Sequence, residues 1–141
     1  MRALPALALA ATLAAAFAAP SAFAQHDHGQ APATTDGPPK VVATFPPLGA
    51  VTPAGIRFIS VTYDRTMMDK SWSFATGGES KFPEVSGGPL LEEDGRTFDL
   101  PVNLQPNTTY VIWLNTEKYQ NFKDETGRAA EPYRLTFTTS E

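Results

Sequence analysis

Leu104-Gln105-Pro106-Asn107-Thr108-Thr109-Tyr110-Val111-Ile112-Trp113-Leu114 reads as a turn followed by a strand. Leu104 and Pro106 end one strand, and Thr108 and Thr109 start the next. Tyr110 stands where its ring can be buried while its hydroxyl reaches back to an upstream backbone group, the tyrosine corner of Greek-key sandwiches. Beyond it Tyr110, Ile112 and Leu114 point to one face and Val111, Trp113 and Asn115 to the other, the period of two expected of a strand. Both faces are apolar, which predicts a central strand.

Working outward, the same alternation marks further strands. Phe98, Leu100 and Val102 share a face and are expected to meet Ile112 and Leu114 in the core. Before them Asp94-Gly95, between Leu90-Leu91 and Thr97, is a strong hairpin signal. Ile59, Val61 and Tyr63 alternate with Phe58, Ser60 and Thr62, and Tyr133, Leu135 and Phe137 alternate with Arg134, Thr136 and Thr138 in a closing strand. Short strands are also predicted over 40–45, stopped by Pro46-Pro47, over 71–75, and over 81–85, where Pro83 restricts the segment to an edge. The connection from Asn115 to Pro132 is long and irregular. No helix and no repeat is legible, so the expectation is an all-β, Greek-key sandwich of about seven strands.

The N-terminal stretch does not belong to that fold. Arg2 supplies a positive start, Leu4 to Ala18 is apolar, and Ala22-Phe23-Ala24 offers the small residues of a cleavage site, so residues 1–24 read as a signal peptide. The apolar run falls short of the roughly 20 residues a membrane helix needs, and no later stretch approaches it. These features predict an exported chain, periplasmic or extracellular, without membrane insertion. Residues 25–39 (QHDHGQAPATTDGPP) read as a disordered leader, and residues 40–141 as one domain.

The chain has no Cys, so it holds no disulfide, thiolate ligand or nucleophilic thiol. Eleven basic residues stand against 15 acidic ones without a basic cluster, which argues against nucleic acid as a partner. Catalysis would rest on Glu92-Glu93-Asp94 or Asp124-Glu125. Adjacent acids beside glycine in turns read as solvated loops, no Ser-His or Cys-His pair is available, and the chain is read as no enzyme.

Two groups of residues carry the binding readings. His26, Asp27 and His28 place two imidazoles and a carboxylate together, a donor set for Cu(II) or Zn(II), against the plainer reading of a solvated tail. Met67 and Met68 could bind Cu(I), but a Met beside a strand end is expected to fill a gap under a loop. Trp72, Trp113, Tyr119 and Phe122 exceed what the inward faces of short strands need and are candidate interaction anchors. The competing reading folds the 115–132 connection over one sheet and buries Trp113 under Tyr119 and Phe122.

The pattern resembles the bacterial Ig-like domains of surface-layer proteins over about Val41 to Thr139. The resemblance rests on Pro46-Pro47-Leu48-Gly49-Ala50, on Ile59 to Met67, on Asp94-Gly95-Arg96-Thr97, on Leu104 to Tyr110, on Lys123 to Gly127 and on Leu135 to Thr139, with Thr66 where that family usually has Pro. It implies a non-catalytic spacer or binding module, cofactor-free, whose partner is a protein or envelope component. A second likeness is to the periplasmic copper-resistance carriers of the CopC type, also cysteine-free sandwiches behind a signal peptide. It implies copper as ligand, with His26 and His28 as the only imidazoles; the Asp-Gly-His of that family is absent at Asp124 to Gly127.

Overall fold

The computed structural model describes residues 37–78 and 81–141. In chain order its strands are β1 (Val41–Phe45), β2 (Val51–Thr52), β3 (Phe58–Tyr63), β4 (Phe74–Thr76), β5 (Glu84–Val85), β6 (Leu90–Leu91), β7 (Thr97–Asn103), β8 (Thr109–Leu114) and β9 (Tyr133–Thr139). One sheet runs β1-β3-β7, with β5 and β6 sharing the remaining edge of β7, and the other runs β2-β9-β8-β4. This is the all-β Ig-like sandwich expected, with β8 central as its two apolar faces require. The expected signal peptide and His26, Asp27 and His28 lie outside the described residues.

The core forms where the alternations meet. Ile59 and Val61 on β3, and Phe98, Leu100 and Val102 on β7, are buried against Tyr110, Ile112 and Leu114 of β8 and Leu135 and Phe137 of β9. Within the second sheet the partners across strands are Tyr110 with Phe137 and Ile112 with Leu135, apolar pairs that fix the register, since a one-residue slip would turn them all to solvent. Burial of each such side chain contributes about 1.5 to 3 kcal/mol. The corner is formed as read: the Gln105 N–H donates to the Tyr110 hydroxyl oxygen at 2.8 Å.

Three differences from the sequence reading have physical causes. The described residues hold nine strands rather than about seven, because short pairings were added that have no apolar alternation. Strand β2 is one of them, two residues pairing in parallel with Thr138 and Thr139 after the chain crosses between sheets at the cis Phe45-Pro46 bond and at Gly49, where φ is +76°. The edge partner of β7 is split into β5 and β6 because Pro101 has no N–H for a ladder; Gly87, whose Cβ would lie 3.5 Å from the Pro101 ring, passes there instead. The folded part also extends upstream of Lys40. The Gly37 carbonyl accepts from Arg65 and Arg128, each at 2.9 Å, and the Pro39 carbonyl from the Glu131 N–H at 2.9 Å.

Candidate functional site

The connection from β8 to β9 is organised by Asn115. This residue is buried, takes a left-handed backbone (φ +63°) that Asn tolerates, and turns its side chain inward. Its Nδ2 donates to the carbonyls of Phe122 and Ala130, both at 3.0 Å, and its Oδ1 accepts from the Phe122 N–H at 3.0 Å. Phe122 is thereby driven between the sheets, where its ring meets Tyr63, Phe74 and Phe98 at centroid distances of 5.3, 5.0 and 5.1 Å.

Between those anchors the connection loops outward. Thr116 closes a tight turn, its Oγ1 accepting from the N–H groups of Lys118 and Tyr119 at 3.2 and 3.0 Å. Lys118 Nζ sits 5.2 Å from the centroid of the Tyr119 ring. The loop is stitched to the segment before β4 by the Asn121 N–H donating to Ser73 Oγ at 2.9 Å and by a short bond from Ser71 Oγ to the Asn121 carbonyl. The two segments, with β5, enclose a groove of about 620 Å³ along the open side of the sandwich. Trp72, Phe74, Phe82 and Tyr119 give it an aromatic lining, and Leu100 reaches it from β7.

Of the four aromatic residues expected as anchors, the groove brings together Trp72 and Tyr119, the latter half exposed. Phe122 is a correction: at 0% exposure it is a core residue and presents nothing to a partner. Trp113 is half-buried and does not line the groove. It lies in β8 opposite Ala75 and Arg134, and Gly77 packs so closely that a Cβ there would stand 2.8 Å from the indole nitrogen. The connection does fold back, but it sends Phe122 into the core and leaves Tyr119 exposed rather than covering Trp113. Lys118, Asn121 and Phe82 are groove residues that the sequence reading missed; the polar run 116–121 around Tyr119 was the available signal.

A second cluster surrounds Asp124, which is also a correction, since it is buried rather than solvated. Asp124 Oδ1 accepts from the N–H groups of Thr126 and Arg128 at 2.9 and 3.0 Å and from the Thr126 hydroxyl at 2.6 Å, while Arg65 Nη1 lies 3.4 Å from Oδ2. Burial alone would push the Asp124 carboxyl up; the bonds from Thr126, Arg128 and Arg65 outweigh it and hold the carboxyl below its ordinary range. Arg65 is held protonated, chiefly by its bond to Asp64. The Glu92 carboxyl, on the exposed hairpin, is raised by its hydrogen bond to Asp99. Met67 fills the core as expected, and Met68 is exposed. No cluster of three His, Cys, Asp or Glu side chains suited to a metal occurs among the described residues.

The model of the bacterial Ig-like domain matches residues 35–139. The chain belongs to the bacterial Ig-like domain family. Among solved structures, this Ig-like chain is similar to the surface layer protein SbsC, domains 1-6, at 18% identity and a TM-score of 0.50, over 74% of this chain and 14% of that one. The crystal structure of the S-layer protein rSbsC(31-844) matches at 18% identity and a TM-score of 0.49, again over 74% of this chain and 14% of that one. The first likeness is one of fold. The Ig-like chain thus spans about a seventh of the length of these structures. No match was found among curated proteins.

Proposed function

We propose that this Ig-like chain is an exported, non-catalytic module that acts by binding a component of the cell envelope. The observation that carries the reading is the groove, where Trp72 and Tyr119 are presented beside an edge strand, the arrangement in which aromatic side chains serve as interface anchors. Export is supported by Arg2, the apolar run from Leu4 to Ala18 and Ala22-Phe23-Ala24. The hairpin carboxylates Glu92, Glu93 and Asp94 are exposed, and the buried Asp124 is engaged by Thr126, Arg128 and Arg65, which supports the non-catalytic reading. Retention of the mature chain on isolated envelopes tests the proposal: Tyr119→Ser is expected to weaken it at least tenfold at unchanged Tm. Retention equal in both proteins, or a chain that stays in the cytoplasm with residues 1–24 attached, overturns it.

A second reading, a periplasmic copper-binding carrier, rests on His26, Asp27 and His28 and on the weaker CopC-type likeness. The sandwich adds no ligand set to theirs among the described residues.

A further inference from the structure

The groove is unusual in its polar equipment. Among the described residues no Asp or Glu lines it, and its one charged side chain is Lys118. Around the aromatic floor stand the Trp72 indole N–H, the Thr76 hydroxyl, the Lys118 ammonium and the Asn121 amide. Thr76, Lys118 and Asn121 are exposed and Trp72 is half-buried, and these side-chain groups make no hydrogen bond to other described residues. In a chain of net charge −4, a site with these donors, one cation and no carboxylate among the described residues is complementary to a ligand rich in acceptors and bearing negative charge. The exposed face of Tyr119 adds a flat π surface, which attracts the weakly positive C–H edge of a saturated ring.

From this charge complementarity we infer that the groove binds an acidic oligosaccharide, one whose pyranose rings stack on Trp72 and Tyr119 while a uronate carboxylate pairs with Lys118. The assignment rests on the envelope-binding reading above and names the chemistry of its partner. A peptide strand fits less well. The open edge of β4 is three residues long, which allows only two or three ladder bonds, and a peptide would leave the side-chain donors idle. Lys118 Nζ already stands 5.2 Å from the centroid of the Tyr119 ring, so the stacking surface and the partner of the carboxylate lie side by side.

The test is a titration of the purified mature chain with trigalacturonate, followed by tryptophan fluorescence and calorimetry, with maltotriose as the neutral comparison. Saturable one-to-one binding of the uronate is expected, weakened at least tenfold by Lys118→Gln, by Tyr119→Ser and by a rise to molar salt, with maltotriose at least tenfold weaker. Both substitutions are at exposed positions, and equal Tm values will show that folding is intact. Absence of saturation with trigalacturonate, equal binding of maltotriose, or indifference to Lys118→Gln each overturns the assignment. Should the uronate fail while retention on envelopes still depends on Tyr119 and is lost on protease treatment of those envelopes, the glycan is replaced by a protein and the binding reading stands. Loss of both removes both.

Discussion

Asp124 ties together parts of the chain that are far apart in sequence, and its charge is what holds them. Its carboxylate accepts three bonds from Thr126 and Arg128 and faces Arg65, which also bonds Asp64 and the Gly37 carbonyl. Because its folded pKa is depressed, the stabilisation is complete above the ordinary carboxylate value of about 3.9 and is lost as pH falls through the lower folded value. Thermal unfolding followed from pH 7 to pH 2 is therefore expected to show a steep acid loss in the native chain. Asp124→Asn should be less stable at pH 7, where Arg65 loses its charged contact with Asp124, with a Tm difference that narrows towards pH 2. A constant difference across that range would contradict a charge-dependent role. Nothing in the sequence showed this. Asp124-Glu125 beside Gly127 has the composition of a solvated turn, and Arg65 is separated from it by most of the domain. Tyr110 was legible because its turn, its ring and its hydrogen-bond partner Gln105 all lie within one short stretch. The Tyr63 hydroxyl was beyond reach for the opposite reason, since whether a buried oxygen finds a partner depends on packing alone, and here it finds none among the described residues.

Among the elements, the strands that bury one face were readable and those that serve as edges were not. Strands β3, β7 and β9 alternate in sequence and in burial, and β8 is buried in succession at Tyr110, Val111 and Ile112 as its two apolar faces require, whereas β2 and β5 are two residues each and owe their pairing to the position of a neighbour. The connection from β8 to β9 is the element that matters most for the groove, and its shape follows from a single buried amide. Asn115→Ala removes bonds to both Phe122 and Ala130, takes the partner from the Phe122 N–H and from the Ala130 carbonyl, and places Ala at a positive φ. The expected cost is about 3 to 5 kcal/mol, read as a lower midpoint in urea unfolding. Because Phe122 and the loop carrying Lys118 and Tyr119 depend on the same anchor, amide exchange in residues 116–122 should accelerate more than in β7. Uniform acceleration, or a loss below about 1 kcal/mol, would mean the connection is held by its other contacts. The polar residues around Phe122 hid this, as an inward-pointing side chain in an irregular segment leaves no period to detect.

For the whole molecule, two sheets around one core could be inferred because every long strand carries its own apolar face and must bury it against another. The groove could not, since it is assembled from the approach to β4, from the segment around Phe82 and β5, and from the loop after β8. The start of the domain is a further case in which tertiary bonds decide. Gly37-Pro38-Pro39 has the composition of a linker, yet its carbonyls accept from Arg65, from Arg128 and from the Glu131 N–H. A chain beginning at Lys40 loses these acceptors, and at a net value of about 1 kcal/mol per bond, more for bonds to a guanidinium, it should unfold several degrees below a chain beginning at Gln25. A chain beginning at Gly37 separates this effect from any owed to the leader, and should keep most of the stability. Titrating the same three chains with Cu(II) and Cu(I) against a competing chelator decides the second functional reading. Tight one-to-one binding found only in the chain that retains His26, Asp27 and His28 supports a copper carrier. Binding no tighter than that of a free His peptide, or equal in all three, removes copper, and leaves a module whose chemistry lies in the groove.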